Sequence, residues 1–280
     1  MVQVVKTIAG LRPLRSKLRE QKAKVTLVPT MGALHAGHLS LVQQAKKISD
    51  YVLVSIFVNP TQFGPDEDFQ DYPRDLNRDL SLLEESGVGL VFIPEVAEIY
   101  PAGFQTYVAV EELSQKLCVI SRPSHFRGVT TVVLKLFNIV QPESAAFGQK
   151  DAQQVVIIRR MLKDLNLDVE LITCPIVREP DGLALSSRNR YLNEAERKAA
   201  IILYQCLQWA KQRVEQGEAC SEGILQGIKG SIEREPLARL DYAEIVDAEN
   251  LSGKALVEKN SLLALAVFIG KTRLIDNMVL

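Results

Sequence analysis

Val25-Thr26-Leu27-Val28-Pro29-Thr30-Met31-Gly32-Ala33-Leu34-His35-Ala36-Gly37-His38, running into Leu39-Ser40-Leu41-Val42-Gln43-Gln44-Ala45, decides how this chain is read. A β-branched run reads as a strand, the glycine-bearing segment as a turn, and the amphipathic run as a helix. A helix N-terminus offers unpaired backbone N–H groups and the positive end of the helix dipole, which together suit a phosphate. His35 and His38 are three residues apart and so share a face of the first helical turn. The chain has three histidines, and two of them are here. Gly32 and Gly37, lacking Cβ, let backbone approach a ligand closely. An incidental strand–helix junction explains a lone histidine; a spaced pair beside two glycines points to a phosphate-handling site.

Working outward, short apolar runs alternate with helical patterns. Strands are expected at Val25–Val28, Val52–Val58, Leu90–Ile93, Ser144–Phe147 and Val169–Thr173, apolar on both faces as in a covered parallel sheet. Helices are expected over Arg74–Gly87, Gly128–Val140 and Asp151–Leu165, the last with Asp151 capping its start. This alternation predicts an α/β fold, a Rossmann-like doubly wound parallel sheet. After Pro175 the pattern changes to a long helical stretch from Asn193 to about Gln216, a helix at Ser221–Arg234, and strand-like runs at Tyr242–Val246 and Leu262–Ile269. We expect a Rossmann-like domain over 1–180 and a smaller α+β domain over 181–280.

A chain of 280 residues can bury a sizeable core. Its 33 basic and 34 acidic residues give a net charge of −1, which offers no overall attraction to nucleic acid or an anionic membrane. Cys118, Cys174, Cys206 and Cys220 form no CxxC pair and no metal-ligand spacing. The start, Met1-Val2-Gln3-Val4-Val5-Lys6, lacks the layout of a signal peptide, and Leu262 to Ile269 is too short to span a bilayer. A cytoplasmic protein is the expectation.

In an open parallel sheet, ligands sit beyond the carboxyl ends of the strands. Polar clusters fall at such ends: His35 and His38; Asn59-Pro60-Thr61-Gln62; Gly148-Gln149-Lys150-Asp151 with Gln154; and Leu185-Ser186-Ser187-Arg188. Lys150 and Arg188 can neutralise phosphates, and Ser186 and Ser187 add donors. The neutral Gln62 and Gln154 fit hydroxyls and a carboxylate. A helix N-terminus lowers a histidine's charge and a bound anion raises it, so the resting charge of the pair is left open. The Asp66–Asp71 run, Asp75 and Asp79 are read as solvated loop and helix-face groups. With no Ser-His-Asp order and no paired carboxylates, nucleotide-dependent group transfer fits better than hydrolysis.

These motifs, in order over about residues 25 to 200, resemble the pantothenate synthetase (pantoate–β-alanine ligase) family, and His35-Ala36-Gly37-His38 resembles the HxGH signature of the wider nucleotidyltransferase superfamily. The resemblance implies joining of (R)-pantoate to β-alanine through a pantoyl adenylate, with ATP and Mg²⁺, releasing pyrophosphate and AMP. It implies that Met31, Gly32, Ala33, Leu34, His35, Ala36, Gly37 and His38 contact ATP, with His38 the principal catalytic residue and His35 assisting. It places Gly148, Gln149, Lys150 and Asp151 at ribose and phosphate, and Val177 at adenine. Leu185, Ser186, Ser187 and Arg188 close over the triphosphate, where Lys150 and Arg188 are catalytic. Gln62, Gln154 and Asn59 bind pantoate or β-alanine. A homodimer with a flexible C-terminal lid is implied, and no protein metal ligand is assigned. Leu185 stands where the family commonly has methionine, a swap of similar volume.

Three other readings compete. A nucleotidyltransferase that passes AMP to a phosphate monoester wants more cations around its acceptor than Gln62 and Gln154 supply. A non-catalytic RNA-binding relative wants a basic patch with interleaved aromatics. An inactive paralogue should have lost a histidine or Lys150, and this chain retains them.

Overall fold

Runs that are apolar on both faces need helices on both faces, and the fold supplies them. The computed structural model describes residues 2–65, 67–119 and 122–280. Met1 of the N-terminal stretch and Asp66 of the acidic run lie outside the described residues. In chain order the first part comprises β1 (Gln3–Val5), α1 (Ile8–Glu20), β2 (Val25–Thr30), α2 (Ala36–Ala45), β3 (Tyr51–Ile56), α3 (Leu76–Glu85), β4 (Leu90–Phe92), α4 (Val96–Ile99), α5 (Glu111–Ser114), α6 (His125–Val140), β5 (Ser144–Gly148), α7 (Ala152–Asp164) and β6 (Glu170–Cys174). The six strands form one parallel sheet in the order β1-β4-β3-β2-β5-β6. Strand alternation sends Leu27, Leu53 and Phe92 to the side covered by α1, α6 and α7. Val28, Val54 and Val91 go to the side covered by α2 and α3. The chain winds one way from β2 through β3 and β4 and the other way from β5 to β6, so the topological switch lies between β2 and β5. The turns after these two strands carry His35–His38 and Gln149–Asp151.

The second part holds α8 (Glu194–Ala199), α9 (Ile202–Glu215), α10 (Ser221–Glu233) and an antiparallel sheet of β7 (Ala238–Asp247), β8 (Ser261–Ile269) and β9 (Thr272–Val279). Leu203, Leu207, Ile224 and Ile228 of the helices pack on Leu263, Leu265 and Val267 of β8. A small apolar contact joins the two parts: Ala152 and Val156 of α7 meet Val246, Leu262 and Ala264.

Several elements differ from the sequence reading. β1 and α1 are not anticipated: β1 has three residues at the sheet edge, and α1 carries Pro13, which removes an interior N–H. The pattern from Asn193 is two helices, with an Asn193–Glu196 capping box opening α8 and a break before α9. β9 is an unread strand, since Arg273, Asp276 and Asn277 interrupt its apolar residues. Asp151 stands at the start of α7, yet its side chain makes no capping bond. Its carboxylate is 3.9 Å from Lys150 Nζ instead.

Gly128 in α6 shows how tightly the fold brings helix and turn together. A Cβ there would overlap the Thr61 carbonyl oxygen, a backbone atom that cannot swing away. We expect Gly128→Ala to cost about 1–3 kcal/mol through overpacking. Urea unfolding checks this, and unchanged stability would mean that α6 can retreat from the turn.

Candidate functional site

The chain leaves β2 through a turn with two left-handed residues, Gly32 at φ 80° and Ala33 at φ 50°. Asp79 of α3 holds this turn: one carboxylate oxygen accepts from Ala33 N and the other from Leu34 N, each at 2.8 Å. Asp79 is only 1% exposed, which corrects its reading as a solvated helix-face residue. A carboxylate matched by two amides is a strong way to fix a backbone. Asp75 caps α3 by accepting from Arg78 N.

His35 is the N-cap of α2, and its Nδ1 accepts from Gly37 N at 3.1 Å. With Nδ1 an acceptor, the neutral ring carries its proton on Nε2, free to donate elsewhere. A Cβ at residue 37 would sit 2.9 Å from that ring, so the contact requires Gly37. The His38 ring lies 4.1 Å from the His35 ring, centroid to centroid. Burial, then the charges of Lys150 and Arg190, push His35 down to about 4. Burial, then His35 and Lys150, hold His38 well below the usual value. Both shifts favour neutral rings near pH 7 when no anion is bound. His38 Nδ1 is shut off from solvent and lacks a hydrogen-bond partner among the described residues.

Next to His38 is a cavity of about 180 Å³. Its polar rim includes Met31, Asn59, Gln62, Gln154 and Arg188, and its apolar wall includes Val129, Val133, Leu136 and Phe147. Asn59 shapes the rim: its Oδ1 accepts from Thr61 Oγ1 and Tyr100 Oη, and its Nδ2 donates to Gly128 O and Gln62 Oε1. Gln62 Nε2 is 3.0 Å from Met31 Sδ.

His125 and Arg122, absent from the sequence reading, brace the same turn. His125 Nδ1 donates to Gln62 O at 2.8 Å, leaving Nε2 to accept from Arg122 Nη1 at 3.2 Å. Burial, then the Arg122 charge, pushes His125 down to about 3. The signal in the sequence was the third histidine, opening an apolar helix just after Arg122-Pro123-Ser124.

The loop after β6 folds back over the histidine turn. Leu185 N donates to Val177 O, and Ser187 Oγ donates to Ala33 O at 3.3 Å. A further cavity, of about 50 Å³, lies between Lys150, Ser186, Arg188 and β9. Arg188 reaches both cavities, but its guanidinium is held in a bidentate pair by Asp68 at 3.0 and 2.7 Å. Burial alone would raise the Asp68 carboxyl; Arg188 more than offsets that and leaves it lowered. Glu67 likewise pairs with Arg122. These described members of the acidic run are therefore tied to arginines, not solvated. Gly148 continues β5, and the Gln149 side chain turns towards Asn277 of β9. Among the described residues no three His, Cys, Asp or Glu side chains group as metal ligands.

The family model described as pantoate-beta-alanine ligase matches residues 3–279. Among curated relatives, pantothenate synthetase of Thermosipho africanus is 55% identical over 279 residues, covering 100% of both chains. That of Acetivibrio thermocellus is 53% identical over 278 residues, covering 99% of each. Among solved structures, pantothenate synthetase from Thermus thermophilus superposes with a TM-score of 0.94 at 44% identity, covering 99% of each chain. Pantoate-beta-alanine ligase from Francisella tularensis, complexed with beta-gamma ATP and β-alanine, gives a TM-score of 0.82 at 36% identity, covering 100% of this chain and 98% of that one.

Two measurements check this geometry. Asp79→Asn leaves an amide group facing a backbone N–H and should cost about 2–3 kcal/mol in urea unfolding; parent-like stability would show that the turn holds without the charge. His35, His38 and His125 are all lowered in the folded protein, so the unfolded chain binds more protons below its histidine value of about 6.5. Their contribution to stability is complete above that value and is lost progressively as pH falls towards about 4 for His35 and about 3 for His125. The urea midpoint should fall between pH 7 and pH 5, whereas a flat profile would contradict neutral, enclosed rings.

Proposed function

The chain belongs to the pantoate–β-alanine ligase family, and on that premise we propose that it makes pantothenate by way of a pantoyl adenylate. The pantoate carboxylate attacks the α-phosphorus of ATP, forming an O–P bond as pyrophosphate leaves. The β-alanine amine then attacks the acyl carbon, forming the amide, losing a proton and releasing AMP. Adenylation is needed because a carboxylate is a poor electrophile. Catalysis in both steps rests on positioning and charge stabilisation.

The observation that carries this reading is the placement of two neutral histidines and Lys150 at the switch point, beside a cavity with an apolar wall and amide side chains in its rim. The neutral rings donate N–H bonds to phosphate oxygens without adding to the local positive charge, His35 through Nε2 and His38 as the principal catalytic residue. Lys150 and Arg188 supply the charge, Arg188 after exchanging Asp68 for a phosphate. Met31, the Gly32–Leu34 turn, Ala36 and Gly37 line the nucleotide path, with Gly148, Gln149 and Asp151 at ribose and phosphate. Val177 flanks adenine, and Leu185, Ser186 and Ser187 close over the triphosphate, the serines adding donors. Gln62 and Gln154 take the hydroxyls and carboxylate of (R)-pantoate, the apolar wall takes its branched carbon, and Asn59 acts by shaping Gln62. ATP as the nucleotide is supported by the Francisella ligase, a relative complexed with beta-gamma ATP and β-alanine.

Mg²⁺ would enter with ATP, held mainly by phosphate and water oxygens, since among the described residues no three His, Cys, Asp or Glu side chains group to hold it. Bound there it would help to neutralise phosphate charge. We further assign residues 181–280 to a lid, the working form to a homodimer and its location to the cytoplasm. The lid is supported by the Ser187–Ala33 contact, which draws the later loop over the histidine turn.

The test is pyrophosphate release from ATP and Mg²⁺. It should require pantoate, with AMP and pantothenate turning over only once β-alanine is added. Release that ignores pantoate would overturn the reading. His38→Ala and Lys150→Ala should each lower turnover by about 10² or more while leaving the fold intact by circular dichroism; normal turnover in either removes that residue from its role.

A further inference from the structure

Asn277 of β9 makes every one of its side-chain hydrogen bonds outside its own sheet. Its Nδ2 donates to the carbonyl oxygens of Gln149 and Lys150, each at 2.9 Å, and its Oδ1 accepts from Gln149 Nε2 at 3.1 Å. Carbonyls only accept, so the orientation of this amide is fixed by its partners. Asn277 is 4% exposed. Beside it, the buried Asp276 forms a bidentate pair with the half-buried Arg178, one residue beyond Val177. Successive residues of β9 thus grip the two segments that flank the smaller cavity.

Lys150 has little else to fix it. Its ammonium has one ion-pair partner among the described residues, the exposed Asp151 at 3.9 Å. The preceding Gly148 has open space where a Cβ would stand. A long flexible side chain with few polar anchors is placed largely by its backbone, and the backbone here is held from the second sheet.

We propose that Asn277 is a positioning residue for Lys150: by clamping the Gln149–Lys150 turn, it makes the docking of β9 set where the ammonium meets the nucleotide phosphates. This rests on the reading of Lys150 as a phosphate ligand. The clamp lies on the nucleotide side, whereas Gln62 is braced separately by Asn59 and His125. Loss of Asn277 therefore affects ATP and leaves pantoate recognition in place.

The experiment is calorimetric titration of ATP into four proteins: the parent, Asn277→Ala, Lys150→Ala and the double variant. Losing its three side-chain bonds, two of them to the turn's carbonyls, should weaken ATP binding about tenfold in Asn277→Ala. Acting through Lys150, it should add nothing in the Lys150→Ala background. The KM for pantoate should not change. Asn277→Leu approximates the shape without adding a charge and removes both donors, so it should also weaken ATP, and it carries the same test if the alanine variant does not fold. Unchanged ATP affinity, an equal loss in the Lys150→Ala background, or a parallel rise in the pantoate KM overturns the inference while the function stands. Unchanged ATP affinity in Lys150→Ala alone overturns the assigned role of Lys150, and the inference with it.

Discussion

The site is organised by one carboxylate. Asp79 accepts two backbone amides of the turn after β2, and one of these belongs to Ala33, held at a positive φ. A non-glycine residue in that region is strained by about 1–2 kcal/mol, so the turn persists only because something outside it fixes it. Everything downstream follows from that shape. The turn aims the first residues of α2, seats the His35 ring on Gly37 N, brings His38 against it, and exposes the Ala33 carbonyl that receives Ser187. A contact between α3 and a turn 46 residues away thus determines where the reactive groups stand.

Electrostatically the site divides its labour. The histidines are kept neutral by enclosure and by the cations around them, while the positive charge resides on Lys150 and on arginines that are already partnered. A fully cationic cluster would bind any anion and repel itself. Pairing Arg188 with Asp68 lowers that repulsion, and it means that an incoming anion must displace a carboxylate to reach the guanidinium. A polyphosphate, offering several oxygens at once, competes far better for that position than a small monoanion does.

Five of the parallel sheet's six strands were legible because they are short apolar runs; the three-residue edge strand β1 was too short to read. The histidine pair was legible because three-residue spacing has meaning on a helix. Polar clusters at strand ends were readable as clusters, and the structure gathers Met31, His38, Asn59, Gln62, Gln154 and Arg188 around one cavity. What stayed hidden was partnership across long separations. Nothing local to Asp79 distinguishes it from a surface helix acid, and nothing local to Asp68 announces Arg188, 120 residues on. His125 looked like the start of a buried helix, which it also is. β9 was invisible because Arg273, Asp276 and Asn277 break its apolar pattern: Arg273 pairs with Asp241 of β7, and only the other two leave the sheet, to hold Arg178 and the Gln149–Lys150 turn.

The clamp made by Asn277 has a kinetic side. The bonds joining it to the Gln149–Lys150 turn span 127 and 128 residues. Contacts between segments so distant form late, because loop closure must come first. During synthesis the parallel sheet and its histidine turn can assemble from neighbouring βα units well before β9 emerges. A chain at that stage would have its apolar cavity built and its Gln149–Lys150 turn still without the bonds from β9. Any ligand that binds only the finished arrangement would draw the last docking step forward by mass action, and so help to complete the fold.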